Sequence, residues 1–265
     1  MRSVSLRRQL TGWSQNAVVL ALALFAWESC GAIGMFDARV MPRPSVAILA
    51  VAEHWESGEL SQDVLASLWR VSVGFVIGGA LGFGCGLICL GAWPRRILSP
   101  LLAAIQGIPL MAWIPIAILF FGLGDGPAFF LVSLGVFFPT FSGTYLGFSS
   151  AERTYSLAAQ TLGFSWWQTI WLVTIPQALP SIFSGLRVGM GVAWMALVTV
   201  ELIAVQSGLG YLLQISRSQL QTDVVVGVMG VVGGLGMLSI GLIRMAERAL
   251  LPWRFTGRET LPSQS

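Results

Sequence analysis

The chain has 265 residues, of which 55% are hydrophobic and only 10% charged, so an ordinary soluble domain, with about a quarter of its residues charged, is excluded. The net charge of +3 comes from fifteen arginines and no lysine. Without lysine there is no phosphate loop of the G-x-x-x-x-G-K-[ST] type, so another chain must bind any ATP. Three cysteines and one histidine provide no disulfide framework or metal cluster. The arginines lie at span ends, where they set topology, and we expect no nucleic-acid partner.

Six apolar runs are long enough, one of them only with its flanks, to cross a hydrocarbon core, which takes about 20 helical residues. They cover residues 17–35, 71–93, 97–124, 126–151, 188–200 with flanks, and 224–243. The first contains Glu28 and is followed by no small-residue cleavage site, so we expect an uncleaved span. The pattern predicts an all-α polytopic membrane protein with six transmembrane helices.

Arginine placement predicts the orientation, because basic residues in short loops stay on the cytoplasmic side. Both ends of the chain are arginine-rich and are expected inside, while the acidic loop at 36–63 is expected outside. We divide the chain into 1–60 (cytoplasmic tail, first span and outer loop), 61–245 (the main transmembrane domain) and 246–265 (a cytoplasmic tail).

The uncharged segment 157–179 is apolar, yet the sequence favours a position outside the bilayer. A seventh span here would move the arginine-rich C-terminal tail outside. Only three residues separate Pro176 from Pro180, too few to connect two full spans. We therefore predict a cytoplasmic elbow, whose three tryptophans suit either the lipid headgroup region or an apolar groove of a partner.

Local signals divide this elbow into two short helices. Ser156 is expected to cap the first helix, and Gly163 to end it with a positive φ. Ser165 and Gln168 match a capping box at the start of the second helix. Pro176 is expected to stop the second helix, because proline removes a donor and clashes with the preceding turn.

The spacing in this elbow resembles a loop motif of a known family. Ala158-Ala159, then three residues, Gly163, nine residues and Val173-Thr-Ile-Pro176 match the E-A-A-x3-G-x9-I-x-L-P loop of binding-protein-dependent ABC importer permeases, with Leu157 in the position of the glutamate. Further segments resemble the subgroup that serves nitrate, sulfonate, taurine and bicarbonate importers. They are 67–86, 100–127 and 200–213.

The resemblance implies a type I ABC importer permease fold in the bacterial inner membrane, with both termini cytoplasmic. Two permease copies, expected to be identical, would each rest the elbow in a cleft of a cytoplasmic ATPase. A periplasmic binding protein would deliver a small solute, expected to be an anion such as a sulfonate, taurine or nitrate. The ATPase subunits would use the ATP, so we expect this chain to be no enzyme and to hold no cofactor.

Six elbow residues are expected to make or shape the ATPase contact, although a packing role remains open for each. They are Ala158, Ala159, Gly163, Phe164, Trp167 and Pro176. The later segment 207–223 is expected outside the membrane, and the resemblance makes it a candidate surface for the binding protein. An ordinary loop is equally compatible with it.

Small residues and prolines within the predicted spans indicate close packing and irregular backbone. Glycines recur every fourth residue at positions 74, 78, 82 and 86 and form one stripe, which favours static helix packing over a sliding gate surface. Pro109, Pro115 and Pro139 are each expected to kink or break a helix. Gln106 and Pro109 are therefore a candidate pathway element or a structural kink.

Glu201 is the most informative ionisable residue, because a carboxylate inside a span is costly and usually paired. Arg70 is its expected partner, with Glu28 as the competitor. We favour a structural ion pair over a substrate ligand, and expect Arg70 or backbone donors to meet an anionic solute.

Two other classes remain as alternatives. An ion-coupled carrier or channel acting without an ATPase would be expected to show internal repeats and acid relays. A membrane-embedded enzyme would need a cluster of His, Asp, Glu or Cys near a span end. Beyond Glu28 and Glu201 the sequence shows no acid relay, and we find neither internal repeats nor such a cluster.

Overall fold

The computed structural model describes residues 18–19, 21–37, 40–150 and 153–252, and the regular elements in these ranges are all helical. In chain order they are α1 (Ala21–Ala32), α2 (Pro44–Glu56), α3 (Glu59–Ile88), α4 (Ala92–Gln106), a 3₁₀ turn (Leu110–Trp113), α5 (Ile114–Phe121), α6 (Asp125–Ser149), α7 (Arg153–Thr161), α8 (Trp166–Thr169), a π-helical turn (Ile170–Thr174), α9 (Ile175–Ala204), α10 (Leu209–Ser218) and α11 (Thr222–Leu250).

Four helical runs in these ranges are long and apolar enough to cross a membrane: α3, α6, α11 and the continuous run Trp167–Ala204. A fifth candidate is the pair Arg96–Gln106 and Leu110–Phe121, which is bent by 95°. The all-α polytopic fold is confirmed. The six-span count stays a prediction, because α1 is shorter than a span and the predicted run 17–35 lies partly outside the described residues.

Contacts divide the chain into two compact units, Met1–Asp63 with Leu212–Val231 and Val64–Tyr211 with Val232–Ser265. In the first unit, a Cβ on Gly227 of α11 would lie 2.7 Å from the carbonyl oxygen of Ala47 in α2. Glu28 of α1 accepts hydrogen bonds from the backbone N–H and hydroxyl of Ser45, at 3.1 and 2.8 Å. Glu28 therefore anchors the start of α2.

In the second unit, glycines let α6 and α9 pack backbone against backbone. A Cβ on Gly143 of α6 would lie 2.6 Å from the carbonyl oxygen of Ser181, and one on Gly147 would lie 2.7 Å from that of Ala178. From the other side, a Cβ on Gly185 would lie 2.5 Å from the carbonyl oxygen of Pro139. Such close approach is how helices associate in lipid, where hydrophobic burial gives little drive.

The predicted glycine stripe of α3 packs against a different part of the α6 surface. A Cβ on Gly78 would overlap the carbonyl oxygen of Ser133, and one on Gly82 would lie 2.5 Å from that of Phe137. At Gly86 the obstacle is the side chain of Thr144, at 2.6 Å. The stripe is thus a close-packed contact, as the static-packing interpretation expected.

Two polar contacts attach the later part of α11 to α9. The indole N–H of Trp194 donates to the hydroxyl of Ser239 at 3.3 Å, and Arg187 forms an ion pair with Glu247. Glu247 is almost fully buried. These contacts fix the register of the two helices.

The prolines behave differently from one another. Pro109 lies at the sharp bend between α4 and the 3₁₀ turn, and Pro115 lies in the first turn of α5, where its missing N–H leaves no bond unmade. By contrast α6 continues through Pro139 and α9 through Pro180. Of the two outcomes expected at Pro139, the break does not occur, since α6 continues through it, and the kink stays a prediction.

Candidate functional site

The elbow begins with α7 and a tight turn at Gly163. Gly163 has φ +86, the left-handed conformation expected of it, and ends the helix. The N–H of Phe164 donates to the carbonyl oxygen of Ala159 at 3.1 Å and that of Gly163 to Gln160 at 3.0 Å, which together form a Schellman-type C-cap. The expected cap at Ser156 was wrong, since α7 starts at Arg153 and Ser156 lies inside it.

The predicted capping box at the start of α8 is present. The backbone N–H of Ser165 donates to Gln168 Oε1 at 2.8 Å, and the N–H of Gln168 donates to Ser165 Oγ at 3.3 Å. These reciprocal bonds satisfy two donors of the helix start and fix the angle at which the chain leaves the turn.

Pro176 does not stop the second helix, contrary to the sequence prediction. Proline has no N–H to offer the carbonyl of Leu172. The chain instead widens into the π-helical turn, in which the N–H of Ile175 donates to Ile170, and continues into α9. The elbow is thus α7 plus the start of the long run Trp167–Ala204, and segment 157–175 forms no separate span.

An apolar groove of about 790 Å³ lies between α7 and the start of α9. It brings together four of the six residues expected at the ATPase contact: Ala158, Ala159, Phe164 and Pro176. Other lining residues include Leu162 and Leu172, which are 77% and 63% exposed. Gly163 shapes the groove through its turn, and Trp167 is 65% exposed on α8.

A second candidate site is a buried ionic cluster around Arg70. Arg70 Nη1 donates to Glu201 Oε1 at 2.8 Å, so the ion pair expected from the sequence is present, while Glu28 binds Ser45. Arg70 Nε also donates to Asp125 at 2.7 Å. Arg70 also donates to the carbonyl oxygen and the hydroxyl of Ser207, at 2.8 and 2.7 Å.

Glu201 is 0% exposed and accepts bonds from several sides. The hydroxyl of Ser67 lies 2.9 and 3.0 Å from its two oxygens, and the N–H of Gly210 donates to Oε2 at 2.9 Å. Gly208 has φ +103, and a Cβ there would overlap Glu201 Oε1. A glycine is therefore required where the chain closes over the carboxylate.

This geometry argues against Arg70 as a solute ligand. Its side chain is 5% exposed and its donors already face two carboxylates and Ser207. Gln106 and Pro109 lie elsewhere, at the exposed bend between α4 and the 3₁₀ turn, where a pathway role for them stays a prediction. Ser67, Asp125 and Ser207 were missed, although the Ser207-Gly-Leu-Gly210 motif after a span carboxylate was a usable signal.

The fold is shared with a solved transporter structure. One solved structure, titled as an amino acid ABC transporter with histidines, matches with a TM-score of 0.56 at 16% identity, over 77% of this chain and 97% of that chain. This likeness establishes the fold.

The sequence comparisons establish the family. The family model described as "Binding-protein-dependent transport system inner membrane component" matches residues 74–254. The chain is 33% identical to the putative aliphatic sulfonates transport permease of Bacillus subtilis, over 93% of this chain and 90% of that protein. It is 36% identical to the Escherichia coli protein of the same description, over 86% of this chain and 87% of that protein. It is 33% identical to the taurine transport system permease of Escherichia coli, over 88% of this chain and 87% of that protein.

The chain therefore belongs to the family of binding-protein-dependent transport system inner membrane components, the permease subunits of ABC importers. It is a multi-pass inner membrane protein of a transport system that also comprises an ATPase and a binding protein.

Proposed function

We propose that this permease forms the membrane pathway for a small organic sulfonate, with taurine and aliphatic sulfonates as the solute class. The observation that carries the proposal is its similarity, across most of both chains, to permeases named for aliphatic sulfonates and taurine. A competition experiment distinguishes sulfonates from nitrate as the solute class. Unlabelled ethanesulfonate and taurine are expected to suppress uptake of labelled taurine, whereas nitrate is not. Suppression by nitrate alone would contradict this solute class.

We further propose that the elbow groove is the contact with the ATPase, and that the complex contains two copies of this chain with both termini in the cytoplasm. The groove is apolar, partly exposed and built on a turn fixed by two reciprocal cap bonds. Such a surface suits a protein partner, because large exposed apolar patches mark interaction sites. The chain itself performs no catalysis in this proposal, and ATP is used by the partner.

Two substitutions at Gly163 test the elbow contact. Nothing lies within 4 Å of a Cβ there, so space is not limiting, but φ is +86. Valine is strained in this conformation by about 1–2 kcal/mol, whereas asparagine tolerates it. We expect Gly163→Val to lower ATPase co-purification and ATP-driven uptake more than tenfold, and Gly163→Asn to keep more than half of both.

Membrane insertion is the control, and both variants should insert in wild-type amounts. Wild-type uptake by the valine variant would refute the elbow as the coupling element.

A further inference from the structure

The first turn of α10 is capped by side chains from two other helices. The N–H of Leu209 donates to the hydroxyl of Ser67 in α3, and that of Gly210 donates to Glu201 in α9, both at 2.9 Å. N–H groups in the first turn have no partner within their own helix, and a negative charge at this end is favourable. Ser67 and Glu201 therefore act as the N-terminal cap of α10, although they belong to other helices.

The helix that supplies Glu201 also supplies one wall of the elbow groove. The run Trp167–Ala204 is continuous, with Pro176 and Gln177 in the groove near its start and Glu201 in its last turn. At 1.5 Å per residue, Trp167 and Glu201 are about 50 Å apart along the helix. One element thus connects the proposed ATPase contact with the cap of α10.

We propose that Ser67 and Glu201 are positioning residues that couple α10 to the movement of α9. A binding protein that docks on the α10 side and an ATPase at the elbow then act on the same helix. This inference rests on the proposed function, because it takes the elbow as the ATPase contact and α10 as part of the outer docking surface.

Ser67 is the better probe of this coupling. Replacing Glu201 would also leave Arg70 without its buried counter-charge, and the whole cluster would be disturbed. Ser67 is neutral and 0% exposed, so Ser67→Ala removes the bonds of its hydroxyl to Leu209 and Glu201 but removes neither partner of the Arg70–Glu201 ion pair. Ser67→Thr keeps the hydroxyl, and Ser72→Ala, at an exposed position of the same helix, is the matched control.

The test measures ATP hydrolysis by the permease–ATPase complex in nanodiscs, with and without its binding protein loaded with taurine. We expect Ser67→Ala to lower the ratio of stimulated to unstimulated hydrolysis at least fivefold, and Ser67→Thr to restore it to within twofold of wild type. Ser72→Ala should keep the wild-type ratio. A wild-type ratio in Ser67→Ala would overturn the inference.

Hydrogen exchange of the complex distinguishes coupling from general damage. In Ser67→Ala the amides of 209–211 should exchange at least tenfold faster, with the amides of α6 unchanged. Faster exchange throughout α6 would mean a loss of packing and would also overturn the inference. If the wild-type complex shows no stimulation by the loaded binding protein, it is the proposed function that fails.

Discussion

Arg70 and Glu201 form a buried ion pair that is surrounded by further hydrogen bonds. Both side chains are at most 5% exposed, and each also makes hydrogen bonds to neutral groups, so the desolvated charges are matched. Asp125, which is 51% exposed, adds a weaker bond at the edge, since water competes for it. A carboxylate saturated in this way is poorly suited to relay protons, which disfavours an ion-coupled carrier mechanism at this residue.

Removal of one partner of this pair should be more harmful than removal of both. Glu201→Leu leaves the Arg70 charge buried with only the partly exposed Asp125 opposite, at a cost of about 3–5 kcal/mol. The double variant Arg70→Leu with Glu201→Leu should recover part of this loss, because no unpaired charge remains. Thermal unfolding in nanodiscs measures the stability of the single and the double variant. Equal stability of the single variant and wild type would contradict the assigned pairing.

The sequence could predict this pair but not its surroundings. Arg70 and Glu201 stand out because charges are rare in apolar runs. Ser67 is a common small polar residue whose partner Glu201 lies 134 positions away, and nothing local marks it. Ser207 stands in a glycine-rich motif, but its partner Arg70 lies 137 positions away. The position of the chain over Glu201 depends on Gly208, whose φ of +103 is visible only in the fold.

Among the helices, α6 has the most demanding environment, because α3 and α9 approach its backbone from two sides. The glycine spacing in α3 predicted one close contact, and the structure shows a second, made by glycines of both α6 and α9. Glycine spacing predicts that a helix has a close neighbour but does not identify it. Tertiary packing decides which helix is the neighbour, and it also keeps α6 helical through Pro139.

Two alanine substitutions in α3 test this packing. In Gly78→Ala the new Cβ overlaps the carbonyl oxygen of Ser133, so we expect a loss of about 1–3 kcal/mol from overpacking. Gly84→Ala, six residues further along the same helix, meets nothing within 4 Å and should be neutral or stabilising by up to about 1 kcal/mol. The unfolding midpoints of the two variants are compared in one lipid composition. Equal effects at both positions would contradict a close contact between α3 and α6 at the glycine stripe.

The elbow shows where local sequence rules hold and where they do not. Gly163 and the Ser165–Gln168 box behave as the sequence predicts, because both depend on bonds within a few residues. Pro176 does not, because the π-helical turn accommodates the missing N–H and preserves one long helix. That continuity gives the elbow a direct mechanical connection to Glu201.

The continuous run Trp167–Ala204 connects the elbow with the ionic cluster within one of the two compact units. In the unit that holds α3, α6 and α9, backbone-close packing joins the three helices, with the elbow at the start of α9 and the ionic cluster at its end. The absence of lysine already removed a phosphate loop from this chain, and its family places it in a system with an ATPase and a binding protein. The sequence predicted the class from the elbow motif.

Taurine uptake into proteoliposomes tests the central claim most directly. The permease is reconstituted with its ATPase facing the inside of the vesicles, with or without ATP enclosed there. The binding protein, loaded with labelled taurine, is supplied outside. We predict uptake only when all three proteins and ATP are present, with at least a tenfold loss on omission of any one. Uptake by the permease alone, driven by an ion gradient and indifferent to ATP, would contradict the account.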